Sequence, residues 1–299
     1  MKGKLSKARF VLALFSILML LIATACSQTG TAPASNQNGA NSGAQSATNE
    51  SKVIKVGIVQ IIEHPALDAA RDGFIAKMQA NGFEENKTVA YDLQSAQGNM
   101  DTAIQIAKKF TGDKVDLILA IGTPAVQAVA QTTTDIPILF TAVTDPVSAG
   151  LVQSMDKPGG NVSGTTDMNP VEEQLSLIKK VKADAKNVGV IYNAGEVNSK
   201  VQVDKAKEAA QKLGLTIIEA AITNPTEVKQ AAESMVGKVD SFYVPTDNMV
   251  VASISAVVSV AEAQKIPVVA GEENSVKSGA ITTFGIDYSL LGAQTGDMA

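Results

Sequence analysis

At 299 residues, with 45% apolar and 18% charged side chains, the chain has material for two domains and a well-buried core, which excludes disorder as its main state. A single cysteine excludes an internal disulfide framework and multi-cysteine metal centres, and a single histidine removes most metal-ligand and acid–base constellations. With 25 basic against 30 acidic residues the net charge is -5, which gives no support to nucleic-acid binding.

The chain opens unevenly. Residues 1–9 carry Lys2, Lys4, Lys7 and Arg9 and no acid, and a nearly unbroken apolar run then extends from Phe10 to Ala25. That run is too short for a comfortable spanning helix, which needs about 20 apolar residues. A basic start, a short apolar stretch and small residues before Cys26 read as an export signal. Ala23-Thr24-Ala25-Cys26 resembles a bacterial lipobox, although that pattern prefers leucine where Ala23 stands. The resemblance implies lipidation of Cys26, which becomes the mature N-terminus; the alternative is an ordinary secretory cleavage site that contains a cysteine. Residues 27–52 hold only Glu50 and Lys52 as charges and no aliphatic side chain larger than alanine. Such a stretch cannot bury enough apolar area to offset chain entropy, and a flexible tether over 26–52 is expected. Without residues 1–25 the chain has 21 basic and 30 acidic residues, a net charge of -9.

From residue 53, short β-branched runs alternate with helix-like segments. Strands are predicted at 53–59, 88–94, 115–120 and 136–143, then at 188–192, 216–221, 241–244, 267–270 and 280–284. Helices are predicted at 65–80, 100–110, 124–131, 171–180, 199–213, 226–236 and 249–264. Pro65, Pro124 and Pro225 fall at helix starts, where a missing amide costs nothing, and Gly214 suits a left-handed cap. Apolar strands separated by helices indicate parallel sheets covered on both faces. The fold class is therefore α/β, with two doubly wound parallel-sheet lobes, a hinge and an interlobe cleft. The looser stretch at 144–169, with Pro158, Gly159, Gly160 and Gly164, suits a crossing between lobes. The expected division is a signal over 1–25, a tether over 26–52, one lobe over 53–165 with 286–299 returning to it, and a second lobe over 166–285.

In such sheets ligands bind outside the carboxyl ends of the strands. Those ends carry hydroxyls, amides and carboxylates, and the positions singled out as ligand-binding are Gln60, Thr123, Thr144, Asp145, Asn193, Glu196, Asn198, Ser199, Thr246, Asp247, Asn248, Glu272 and Asp287. Gly122-Thr123-Pro124 is the favoured anion dock, because glycine admits a ligand to a helix N-terminus. Asp145, Asp247 or Asp287 would hold an ammonium group in return, so the pair of poles suits a zwitterionic amino acid. Each of these residue types also belongs in turns and helix caps, which is the plainer reading. Phe140, Tyr192, Tyr243 and Phe284 lie on strands and are expected mainly in the core.

An enzyme finds little support. The chain has no phosphate-binding loop, no dinucleotide fingerprint and no serine elbow, and a hydrolytic triad would depend on His64, the sole imidazole. His64 precedes Pro65 at a helix start and suits a cap or a ligand contact better than a base. No metal and no cofactor is expected.

Several runs resemble the substrate-binding lipoproteins of ABC importers, in particular the tryptophan/tyrosine-type group with the type I periplasmic-binding-protein fold. They are Gly122-Thr-Pro-Ala-Val-Gln-Ala, Thr141-Ala-Val-Thr-Asp-Pro-Val, Gly159-Gly-Asn-Val-Ser-Gly, Val190-Ile-Tyr-Asn-Ala-Gly-Glu-Val-Asn-Ser199, Val244-Pro-Thr-Asp-Asn248 and Gly285-Ile-Asp-Tyr-Ser-Leu-Leu-Gly. The resemblance implies a monomeric, lipid-anchored protein outside the membrane that closes on a small ligand, an aromatic amino acid within this group, and passes it to a permease. Family members continue beyond the last of these runs with another helix and strand, so a truncated chain is expected at Ala299. Nucleoside or sugar binding on the same scaffold is the neighbouring alternative, lowered for sugars by the lack of tryptophan. A ligand-sensing domain is the alternative from another class.

Overall fold

The computed structural model describes residues 52–299; the signal, Cys26 and the tether up to residue 51 lie outside the described residues. The first sheet is built from β1 (Ile54–Gln60), β2 (Val89–Ser95), β3 (Leu117–Ile121), β4 (Ile138–Val143) and β5 (Val162–Thr166), all parallel, in the order β2-β1-β3-β4-β5. Helices α1 (Pro65–Ala80), α2 (Met100–Gly112) and α3 (Thr123–Ala130) connect its first four strands. The second sheet repeats the plan with β6 (Asn187–Asn193), β7 (Thr216–Ile222), β8 (Ser241–Val244), β9 (Val268–Ala270) and β10 (Thr282–Thr283), ordered β10-β9-β8-β6-β7. Read from β7, this is the same 2-1-3-4-5 winding. Its helices are α4 (Val171–Val181), α5 (Val197–Leu213), α6 (Val228–Met235), α7 (Asn248–Ala252), α8 (Ile254–Gln264) and α9 (Glu273–Lys277). The last helix, α10 (Tyr288–Met298), packs along α1 beside the first sheet.

The strands form where β-branched and aliphatic residues cluster, and their burial explains why they read as continuous rather than alternating. Both faces are covered, so Ile118, Leu119, Ala120 and Ile121 on β3 are all inaccessible. The first sheet carries one core, which takes in Phe74, Phe110 and Phe140. The second has a core on each face, one around Phe242 and α8, the other around Leu175 and Tyr243.

Three differences from the sequence expectation have local causes. Residues 162–166 form β5, where glycine content suggested only a crossing. Gly164 is needed there because a Cβ would stand 2.0 Å from the Phe140 carbonyl oxygen, so the glycine permits close pairing with β4. The helix expected over 249–264 is two helices, interrupted at Ser253 (φ -114°, ψ 21°), whose hydroxyl donates to the Pro225 carbonyl. Phe284 is exposed rather than in the core, because β10 ends at Thr283 and the chain then crosses back toward α10.

The two sheets are joined at two crossings, residues 167–170 between β5 and α4, and 284–287 between β10 and α10. They are tied together. The Tyr288 hydroxyl, at the start of α10, donates to Asp167 Oδ2 at 2.8 Å.

Candidate functional site

A small cavity lies where the carboxyl ends of the two sheets face each other. Its lining comes from seven strand ends: His64 and Leu67 beyond β1, Ala142 and Thr144 at β4, Asp167 beyond β5, Asn198 beyond β6, Thr246, Asn248 and Val251 beyond β8, Glu272 beyond β9, and Tyr288 beyond β10. In each sheet the winding reverses between the first and third strands of its order, β1/β3 and β6/β8, and that is where such folds take ligands. The two reversal points meet here. Asn248, from the other half, approaches both His64 and Gly122, its Oδ1 lying 3.4 Å from where a Cβ on Gly122 would stand.

A larger, open hollow lies among Val181, Val258, Ile266 and Ile281. It sits at the amino ends of β9 and β10, the wrong end of a parallel sheet for a ligand, and holds no buried unpaired polar group.

The polar groups in the smaller cavity are set by helix caps and amide networks. Asp247 N-caps α7 through Met249 N (3.0 Å) and Val250 N (2.9 Å), and it also takes Asn193 N and Ser199 Oγ, both at 2.6 Å. Glu196 accepts three side-chain amides, from Asn193 (3.1 Å), Asn198 (3.0 Å) and Asn248 (2.6 Å). Burial, reinforced by the neighbouring Asp247, pushes the Glu196 carboxyl up to about 7. Burial also holds His64 down to about 4, only partly opposed by Asp68 and Asn248, so the imidazole is neutral near pH 7. Asp167 and Asp247 are both raised by burial. Glu272 caps α9 through Asn274 N and Ser275 N, each at 2.6 Å, with the Ser275 hydroxyl also donating to it.

Of the positions singled out from sequence, Thr144, Asn198, Thr246, Asn248 and Glu272 line the cavity. Asn193, Glu196, Ser199 and Asp247 form the buried layer behind it, orienting Asn198 and Asn248. Thr123 is buried at the start of α3, beside the cavity rather than in it, with its hydroxyl unpaired. Gln60, Asp145 and Asp287 lie outside. The Gln60 amide donates to Ile62 O and Asp68, Asp145 caps the turn at Ser148, and Asp287 caps α10 from the surface. Thus the three acids considered for an ammonium group, Asp145, Asp247 and Asp287, all spend their oxygens on capping.

Asp167 is the residue the sequence reading missed. It lies within the 144–169 stretch that reads as a crossing, and only recognition of β5 marks it as a strand-end carboxylate. His64, which the sequence suits to a cap or a ligand contact, lines the cavity, as does Tyr288, which the sequence analysis does not single out. Ala142, at a positive φ of 55°, accompanies the register shift between β4 and β5 that carries Thr144 into the cavity. Among the described residues no group of three or more His, Cys, Asp or Glu side chains is placed to hold a metal ion.

Comparison with known proteins agrees with this geometry. A curated relative from Clostridioides difficile, a tyrosine-binding protein, is 46% identical over 294 residues, covering 98% of this chain and 83% of its own. A solved Streptococcus pneumoniae ABC domain in complex with L-tryptophan is 34% identical and overlays with a TM-score of 0.80, covering 83% of each chain. The ligand-free, open structure of a Clostridium difficile substrate-binding protein with adhesive properties is 51% identical, yet overlays at only 0.61, covering 82% of this chain and 83% of that one. The profile described as "ABC transporter substrate binding protein" matches residues 55–299. With its doubly wound halves, its strand-end cavity and that match, the chain belongs to the ABC transporter substrate-binding protein family, with the type I periplasmic-binding-protein-like fold.

Proposed function

We propose that this protein captures an amino acid with an aromatic side chain in the cavity between its two lobes and delivers it to an ABC permease. The observation that carries this reading is the provenance of the lining: a ligand there touches strand ends of both sheets at once. Such a ligand favours the arrangement in which the lobes approach, by its differential contacts with the two states. The overlay pattern supports the same idea. The better match is to an L-tryptophan complex of lower identity, and the poorer one to an open form of higher identity, as expected when lobe disposition differs rather than the lobe cores. The rigid units in this reading are 53–165 with 286–299, and 166–285. The permease contact is the closed form's, and no covalent chemistry occurs.

The relatives named for tyrosine and L-tryptophan support an aromatic side chain. A thermal-shift screen of the mature protein against amino acids, nucleosides and sugars tests the ligand class. At 100 times its Kd a ligand adds about 2.7 kcal/mol, roughly 5–10 °C in the midpoint for a body of this size. Shifts from nucleosides or sugars, with none from tyrosine or tryptophan, would sink the assignment.

Cys26 would anchor the mature chain by lipid on the extracytoplasmic side, with residues 27–52 as tether. Cell fractionation is expected to find the protein with membranes and Cys26→Ser released from them. Equal membrane retention of both would refute the anchor.

A further inference from the structure

His64, the sole imidazole of the chain, is 7% exposed and lines the cavity. It stands at the N-cap position of α1, yet its side chain caps nothing, and its Nδ1 is buried with no hydrogen-bond partner. A buried nitrogen left in that state is costly, and such atoms are uncommon in folded proteins. Asn248 is its polar neighbour from the other half. The Asn248 amide nitrogen donates to Glu196 at 2.6 Å, so its oxygen is the atom turned toward Gly122 and His64. The two walls then repeat one pattern. Leu67 follows His64 by three residues at the start of α1, and Val251 follows Asn248 by three along α7; all four line the cavity. That spacing puts a polar group and an apolar one on the same helix face, one turn apart. Each half therefore offers a polar atom beside an apolar side chain, which suits a flat ring with a polar tip.

We propose that His64 Nδ1 reads the ring hydroxyl of the ligand, with the ring held between Leu67 and Val251, so that the site selects tyrosine over phenylalanine. This rests on the amino-acid reading above and adds to it the residue that discriminates among aromatic side chains. A neutral imidazole carries one donor and one acceptor nitrogen, and a phenol hydroxyl both donates and accepts, so the pair forms with either tautomer. Phenylalanine offers neither and leaves Nδ1 buried and unpaired, and a site built around a hydroxyl rejects the analogue that lacks it. The imidazole is uncharged near pH 7 because of its burial, and a neutral phenol is a partner that demands no counter-charge in the closed cavity.

Calorimetric titration of the mature protein with L-tyrosine and L-phenylalanine, which differ by one hydroxyl, tests this. The wild type is expected to prefer tyrosine by about 10–100-fold, the cost of leaving a buried polar atom unpaired. His64→Leu, which keeps apolar bulk and removes both nitrogens, is expected to lose that factor for tyrosine alone and to bind phenylalanine at least as tightly as the wild type. A merely structural role for His64 would weaken both ligands together and leave their ratio intact. Equal wild-type affinity for the two amino acids overturns the proposal, a result that does not depend on any variant folding. Retention of the tyrosine preference by His64→Leu overturns it as well. Binding of L-tryptophan with neither tyrosine nor phenylalanine overturns the tyrosine assignment alone. Failure of the wild type to bind any amino acid overturns the amino-acid reading itself, and this assignment with it.

Discussion

Gly292→Val is expected to lower the melting temperature by about 6–12 °C and to weaken ligand binding at the same time. Helices α1 and α10 meet through glycines. A Cβ at Gly292 would stand 1.8 Å from the Ala70 carbonyl oxygen, and one at Gly73 would stand 2.1 Å from that of Ser289. Neither obstacle is a flexible side-chain tip, so the helices themselves must separate. Replacing glycine inside a helix gains at most about 1 kcal/mol in propensity, whereas overpacking against backbone costs about 3 kcal/mol, and the clash wins. Because α10 begins at Tyr288, its displacement also draws the phenol away from Asp167. Thermal denaturation and ligand titration of the variant check both effects. A midpoint within about 2 °C of the wild type would show that the seam has slack.

Asp247→Ala is expected to cost about 3–5 kcal/mol, because one carboxylate serves as helix cap and as acceptor for the Asn193 amide and the Ser199 hydroxyl. Asp247→Asn keeps an acceptor for the cap and removes the charge beside Glu196, so its loss is smaller. A urea-denaturation loss under about 1.5 kcal/mol for the alanine variant would contradict this account. The same cluster governs pH. Glu196 has a folded value raised to about 7 from 4.5, so its contribution is fully present below about 4.5 and is lost as pH rises through about 7. His64 is depressed to about 4 from 6.5, so its contribution is present above about 6.5 and is lost as pH falls through about 4. Between those limits the two slopes, each roughly 1.4 kcal/mol per pH unit, oppose each other. Relative to the wild type, Glu196→Gln should unmask stability that climbs with pH in this range, and His64→Gln stability that falls. Unaltered pH profiles in both variants would refute the opposition.

Much of the fold was legible because its signals are local. β-branched runs marked the strands, and Pro65, Pro124 and Gly214 marked helix ends where they stand in the structure. Segments that failed were those whose conformation depends on a distant neighbour. Gly164 looks like a breaker until the Phe140 carbonyl is seen against it. Phe284 looks like core until β10 proves two residues long.

The candidate site divides along the same line. Residue types at strand ends pointed to Thr144, Asn198, Thr246, Asn248 and Glu272, all of which line the cavity. They did not separate these from Gln60, Asp145 and Asp287, since a carboxylate that caps a helix and one that faces a ligand look alike in sequence. That choice is made by which oxygens backbone amides have already claimed, and only packing reveals it.

Length, composition and charge settled early that the body is large, with an acidic balance and little scope for metal or cysteine chemistry. These are sums over the chain and need no contacts. Which of its acids ties the two crossings together is a property of residues 121 positions apart, Asp167 and Tyr288. Only the tertiary structure brings them together, because burial and pairing are decided in space rather than along the chain.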